Sequence, residues 1–462
     1  GPVQCGPGSP CVDKSCCNSD GKCGFEKGHC HPDPPSTCIS NCDAKAWCGK
    51  DSPNGKITCG LNVCCSKYGW CGWRPEHCGE DTDPKDPGSL CQKEFGRCGK
   101  VSPPSCGKDS GTATNGRKIA YYASWNTRNR ECNRIWPHHI NTEGLTHINF
   151  AFAGINPKSF VIQPMHPADP QLYLDFTALK TNGLETWIAV GGWDFSNPGS
   201  THTTWSDMVS TKENRKAFIE SAVDLMKTYG FQGIDLDWEY PVAEDRGGRP
   251  GDTKNQIALF VELREAIGNR FGFSSILAPD FWYLQHMDPF ALSFQVDWFN
   301  YMAYDLHGTW DARIPAIGPR IAAHTNLHEI EEMLVSLWFN KLDPKKINFG
   351  MAHYGRGFTV KDKGCMHEGC EWADTNKPAD CTNFPGIMSN TEIIQLIREK
   401  NLKPELLKGA EVKQITWDDQ WMAYDDDETR AMKIEKANDL CMGGHFFWAI
   451  DYASGSGTGD DP

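Results

Sequence analysis

The sequence has no run approaching the ~18 apolar residues that a membrane span requires, so no transmembrane helix is expected. It also lacks an excess of positive charge, because 46 Lys+Arg face 60 Asp+Glu for a net charge of −14. Nucleic acids and anionic membranes both select for positive surface, so neither is expected as a partner, and a neutral ligand fits better. No signal-peptide pattern opens the sequence, and its numbering is expected to start at a mature terminus. Cysteine is scarce beyond residue 107, with five in the rest of the chain. The other 17 of the 22 lie before that point, a density that calls for disulfides, an oxidising compartment and a secreted, extracellular protein. At 462 residues and 39% hydrophobic content, the chain is expected to be soluble and globular, with more than one domain.

Residues 1–106 are rich in Cys, Gly and Pro and have little periodic apolar pattern, so they must be stapled rather than built on an ordinary core. Two copies of one unit are visible, 1–43 and 44–106. Cysteines stand at 5, 11, 16, 17, 23, 30, 38 and 42 in the first, and at 48, 59, 64, 65, 71, 78, 91 and 98 in the second. They share the spacing C-x4-CC-x5-C-x6-C. Cys106 is left over, followed by GKDSGTATNG (107–116), which reads as part of a linker over 107–117.

Beyond the linker, short strand-like runs alternate with amphipathic stretches. Strands are expected at 118–123, 145–153, 186–191, 231–238, 275–278, 296–303, 347–353 and 444–450, and helices at 213–229, 255–271 and 327–342. Eight strands alternating with helices imply an α/β fold, a (β/α)8 TIM barrel spanning 118–455. The gap from 357 to about 427 exceeds one crossover helix, so a small α+β insertion is expected there.

The run FQGIDLDWEYP (231–241) sets three acids among large apolar residues. Alternate residues of a strand face the same way, so Asp235, Asp237 and Glu239 share one face, while Ile234, Leu236, Trp238 and Tyr240 share the other. In a parallel barrel the second set packs on helices and the first points inward. Pro241 ends the strand and sets Glu239 at the carboxyl edge, where barrel enzymes carry their chemistry. Crowded like charges push at least one carboxyl pKa upward, which is what a general acid needs. A merely solvated acidic edge would not need the flanking Ile, Leu, Trp and Tyr. A metal site would have one strand supply every ligand, so no metal or cofactor is expected.

GIDLDWEYP (233–241) resembles the D-x-x-D-x-D-x-E signature of family 18 glycoside hydrolases, the chitinases. Other segments agree in order: YYASW (121–125), NFAF (149–152), GGW (191–193), MAYDLHGTW (302–310), YGR (354–356) and Trp448. The chain is most similar to the fungal killer-toxin-like group, which likewise carries cysteine-rich chitin-binding units before the barrel. The resemblance implies that Glu239 is the general acid, that Asp237 orients the substrate's acetamido group with Asp235 behind it, and that Tyr304 hydrogen-bonds the acetamido oxygen. It further implies substrate contacts from Tyr122, Phe150, Trp193, Met302, Asp305, Tyr354, Arg356 and Trp448, with Trp421 of DDQWMAYD (418–425) walling the cleft. Two departures stand out. Gln232 replaces the family's first Asp, and Ala189 replaces a Ser that normally bonds the innermost aspartate, leaving Tyr122 as the main expected partner of Asp235. Both leave open a silent chitin-binding lectin, or a docking subunit for a toxin partner.

The cysteine units resemble hevein-type chitin-binding domains. That resemblance implies a sugar site at Ser66, Tyr68, Trp70 and His77 in the second unit. The corresponding Asn18, Asp20, Lys22 and His29 of the first have lost their stacking faces. It also implies a Cys91–Cys98 bridge. Cys132 is the nearest candidate partner for Cys106, and the pairing of Cys365, Cys370, Cys381 and Cys441 stays open. His147, His353 and His445 read as buried, hydrogen-bonded histidines, whereas His307 is open between substrate contact and structure. The expected ligands are chitin or chitooligosaccharides, bound by a monomer.

Overall fold

The computed structural model describes residues 4–79 and 91–453. They fall into two units, a smaller one comprising the cysteine-rich residues to Pro103 together with Met287–Pro289 and Val335–Leu342, and a larger one comprising the other residues from Pro104 onward.

In the cysteine-rich unit the repeat is a repeat of bridges. The first copy joins Cys5–Cys17, Cys11–Cys23, Cys16–Cys30 and Cys38–Cys42. The second joins Cys48–Cys65, Cys59–Cys71, Cys64–Cys78 and Cys91–Cys98 in the same order. Each copy hangs on a minimal antiparallel ladder, Cys16–Asn18 on Cys23–Gly24 and Cys64–Cys65 on Cys71–Gly72, with the CC pair fully buried. Sheets this short are marginal in water, so the bridges carry the fold.

The larger unit is a closed parallel barrel. Its strands are β1 (Arg117–Ala123), β2 (His147–Ile155), β3 (Glu185–Gly191), β4 (Gly233–Asp237), β5 (Gly272–Leu277), β6 (Trp298–Tyr301), β7 (Ile347–Ala352) and β8 (Gly444–Trp448). They neighbour one another in sequence order, and β8 closes on β1. Helices begin and end where side-chain chemistry sets them. Lys212–Tyr229 starts where the Thr211 side chain accepts from Asn214 N–H and stops at Gly230, whose φ of 85° favours glycine.

Large aromatic residues fill the amino-terminal end of the barrel interior. Trp187 on β3 stacks on Trp298 on β6, with centroids 4.7 Å apart. Gly233 and Gly272 make room for it, since a Cβ at either would stand 2.3 or 2.1 Å from the Trp187 ring. Above this floor the interior turns polar with Asn149, Asn300, Asn348, Ser274 and the β4 acids.

Between β7 and β8 an antiparallel sheet is inserted. Tyr354–Val360 pairs with Trp372–Thr375, Ile387–Ser389 and Gln420–Tyr424, the last of which also pairs with Val412–Trp417. The helix Asn390–Lys400 belongs to it. Trp421 lies inside this subdomain, fully buried on Phe358, with its Nε1 donating to Gln414 Oε1 at 2.9 Å. It is a core residue, contrary to the cleft-wall role expected of it.

Three bridges staple the barrel, and they correct the expected Cys106–Cys132 pairing. Cys106 joins Cys441, Cys132 joins Cys381, and Cys365 joins Cys370. The segment after Cys106 lies along the end of the Asp427–Asp439 helix, where Asn438 Oδ1 accepts from Ala113 and Thr114 N–H. Nearness in sequence did not translate into nearness in space.

Candidate active site

β4 is in register with Ala189 of β3 and Ser274 of β5 on either side of Asp235. Paired residues of a parallel ladder face the same way, so all three point into the barrel. Asp235 is fully buried and saturated with donors. Tyr121 O–H donates to Oδ2 at 2.6 Å and Ser274 O–H to Oδ1 at 2.7 Å. Burial raises its pKa and the two donors pull it back, leaving it at about 6.

Asp237 and Glu239 follow toward the carboxyl edge, 4% and 7% exposed. Their carboxyls are within hydrogen-bonding reach of each other. Burial pushes Asp237 far above the usual carboxylate range, and the neighbouring Glu239 charge adds to this. Burial also raises Glu239, against the opposing pull of its bond to Asp237 and of the Arg246 guanidinium. Two buried carboxyls this close cannot both ionise cheaply, so the pair keeps a proton where isolated acids have lost theirs.

Around the pair, the site is built from loops at the strand ends. Tyr304, nearly buried, feels the charges of Asp237 and Glu239. Asp305 accepts from Tyr354 O–H at 2.5 Å and from Arg356 Nε at 2.7 Å. Burial opposes its charge, but the Arg356 guanidinium and the two donors outweigh that and hold it below its ordinary value. Trp448 forms an aromatic floor with Phe152, stacked at 5.6 Å, and with Trp125 at 5.9 Å. Met302 is buried just beyond β6, its N–H bonded to Leu277 O. Trp193 stands at the rim, 46% exposed.

Two expected substrate contacts face the wrong way. Tyr122 and Phe150 are paired in register on the outward face of β1 and β2. Both are fully buried against Phe176, and Tyr122 O–H donates to Ile135 O at 2.6 Å. The partner of Asp235 is therefore Tyr121, one residue earlier, because a shift of one residue changes the face. Phe152 reaches Trp448 past a slip in the β2–β3 register between Phe150 and Ala153.

Sequence reading missed Tyr121, Ser274, Phe152 and Arg246. Arg246 donates to Glu239 O at 3.2 Å and Asn197 Oδ1 at 2.8 Å, bonds Trp193 O, and lies 3.4 Å over the Trp193 ring. Asn149, polar inside an apolar strand, was the available signal for the inward face of β1 and β2. Gln232 lies below the site, its Oε1 accepting from Thr186 N–H at 3.0 Å. His307 is clamped by Asp311 at 2.7 Å and Glu329 at 2.8 Å. Burial opposes its charge, but those bonds prevail and raise its pKa to about 10. His147 bonds Thr146 and Glu185, while His353 and His445 are held neutral by burial.

In the second cysteine-rich copy, Tyr68 is 56% exposed, and Ser66 Oγ accepts from Trp70 N–H at 3.1 Å. Trp70 is half-buried, 5.0 Å from both Trp47 and Phe25. The His77 ring packs on Gly72. The first copy keeps this scaffold without the aromatic surface. Asn18 Oδ1 accepts from Asp20 and Lys22 N–H, and His29 packs on Gly24.

The family model described as "Glycosyl hydrolases family 18" matches residues 117–453, and that for "Chitin recognition protein" matches 47–85. "Secreted chitinase LysM12" of Penicillium expansum is 30% identical over 367 residues, 75% of this chain and 24% of its own length. "Killer toxin subunits alpha/beta" of Kluyveromyces lactis is 29% identical over 341 residues, 69% of this chain and 29% of its own. The chain thus spans less than a third of the length of either relative. Among solved structures, catalytic domain 2 of the Ostrinia furnacalis Group II chitinase superposes with a TM-score of 0.67 at 28% identity, covering 73% of this chain and 90% of that domain.

Proposed function

The chain belongs to the glycosyl hydrolases of family 18, and from that premise we propose that it is a secreted chitinase cleaving β-1,4-linked N-acetylglucosamine polymers with retention. The observation that carries this reading is the buried Asp237–Glu239 pair beside an Asp235 already supplied with two donors. Glu239, at the open edge, protonates the glycosidic oxygen. The substrate's own acetamido oxygen attacks the anomeric carbon, so no protein carboxylate becomes a nucleophile. Asp237 orients the acetamide and balances the positive charge it develops. Tyr304 bonds its oxygen, Asp305 with Tyr354 and Arg356 holds neighbouring hydroxyls, and the Trp448 floor supports the distorted ring. Water then attacks the anomeric carbon from the face the leaving group has left, opening the oxazolinium ring and giving its proton to Glu239.

The second cysteine-rich copy, through Ser66, Tyr68, Trp70 and His77, keeps the enzyme on insoluble chitin. The 11 bridges, which leave no free cysteine, suit an extracellular setting.

A docking role beside a toxin partner is favoured by one observation, the likeness to the killer toxin subunits. The complete pairing of cysteines leaves that role no thiol for an intermolecular bridge. Both readings meet one experiment, reducing-end release from chitin oligomers by this protein and by Glu239→Gln, following the anomer formed first. Glu239-dependent release of the β-anomer supports the retaining chitinase. Oligomer binding without release, at any pH from about 3 to 8, leaves the docking or lectin role.

A further inference from the structure

We propose that a one-way hydrogen-bond chain, starting at Arg117 on the barrel floor, fixes Asp235 as an acceptor and makes Arg117, Asn348 and Asn300 positioning residues for the acid pair above. The inference rests on the reading of Asp237 and Glu239 just given. Arg117 Nε donates to Asn348 Oδ1 at 2.8 Å, Asn348 Nδ2 to Asn300 Oδ1 at 2.9 Å, and Asn300 Nδ2 to the Tyr121 oxygen at 2.9 Å. Tyr121 O–H then donates to Asp235.

The direction is forced at its origin. A guanidinium only donates, so Asn348 must present its oxygen to Arg117 and its NH2 to Asn300. Asn300 must do the same one step on. Turning either amide round sets donor against donor. With its oxygen taken by Asn300, the Tyr121 hydroxyl has one use for its proton, and that is Asp235. Tyr121, Asn300, Asn348 and Asp235 are 2% exposed or less, so bulk water does not rescue a broken link.

The origin of the chain is itself anchored. Arg117 Nη2 donates to Lys345 O at 2.6 Å, and the guanidinium lies 5.0 Å over the Trp298 ring. Two successive glycines make the space. A Cβ at Gly443 would stand 2.4 Å from Arg117 Nη2, and one at Gly444 2.5 Å from Asn348 Oδ1.

Asp235 faces Tyr121 from β1, Ser274 from β5, Asp237 and Glu239 from its own strand and its end, and Tyr304 from the loop after β6, with Asp305 and Arg356 beyond. Ala189, opposite on β3, offers it no polar group. Two fixed donors favour the Asp235 carboxylate, and that negative charge keeps the shared proton on the Asp237–Glu239 pair.

The test is an infrared titration of the whole protein, with the Asp235 carboxylic-acid band assigned by its loss in Asp235→Asn. It needs no turnover, so an inactive protein would overturn the proposed function while leaving this proposal measurable. Arg117→Gln should raise the pH at which Asp235 protonates by roughly 0.5 to 1 unit, the scale of one buried hydrogen bond. Asn348→Leu, which cuts the chain but keeps the arginine charge, should raise it similarly, and Arg117→Lys should not. The acidic limb of oligomer hydrolysis should move up in the same two variants. A folded Asn348→Leu that titrates like the wild type overturns the proposal, because any Arg117 effect would then be simple charge. Should these variants not fold, the wild-type protein decides. The side-chain amide signals of Asn300 and Asn348 must shift with the Asp235 midpoint, and their failure to do so overturns the chain.

Discussion

In the cysteine-rich unit, eight bridges hold residues 5 to 98, whereas the much longer barrel unit has three. The first unit fixes its backbone covalently, so the residues between cysteines are free to vary. Its copies show this, with Tyr68 and Trp70 in one and Asp20 and Lys22 in the other on the same scaffold. The barrel holds itself by packing and buried hydrogen bonds, and its reactive groups are part of that interior. Asp235, Asp237 and Glu239 owe their chemistry to burial inside the barrel, beside Tyr121, Ser274 and Tyr304. Where bridges hold the fold, function sits on the surface and can be lost alone. Where burial holds it, function and fold share residues.

That contrast can be broken in four ways. Glu239→Gln should lower hydrolysis of soluble oligomers by about 10² to 10⁴-fold, the usual contribution of a general acid. Retention on insoluble chitin by the cysteine-rich unit should survive, as a co-sedimentation assay would show. Removing the Cys64–Cys78 bridge as a double serine variant should cost that unit about 2–5 kcal/mol and its hold on chitin, while oligomer hydrolysis by the barrel continues. Loss of both together would mean the units are not separable. Tyr68→Ala should weaken chitin binding about tenfold, ~1.4 kcal/mol, without changing thermal unfolding, and Asp20→Ala in the first copy should leave binding unaltered.

The smallest effect concerns His307, whose pKa is about 10 in the folded chain against ~6.5 in an unfolded one. A raised folded-state pKa gives stability that is fully present below ~6.5 and is lost as pH rises through about 10. The melting advantage of the wild type over His307→Gln should therefore shrink steadily across that window. An advantage that grew with pH would show that His307 is neutral in the clamp.

The eight barrel strands were legible because each is a compact run of β-branched and aromatic residues between turn signals. The acid strand was legible because three carboxylates at alternate positions have one economical explanation. Tyr121 was harder to find than Tyr122. Strands buried on both faces, such as β1 and β2, are apolar at nearly every position, so Asn149, paired with Tyr121, is the polar residue that marks the inward side of β2. Ser274 was beyond reach because its place beside Asp235 depends on the β4–β5 register. Trp421 carried no mark separating a cleft wall from an insertion core.

The sequence by itself therefore determined the repeated cysteine scaffold, the order of strands and helices, and the strand carrying the acids, since all three rest on local spacing. Only the tertiary structure decided that Tyr121 and Ser274 hold Asp235, that Cys106 meets Cys441, and that Arg117 heads a chain through the barrel. Those contacts join segments far apart in sequence, and which atoms meet is set by strand register and barrel closure.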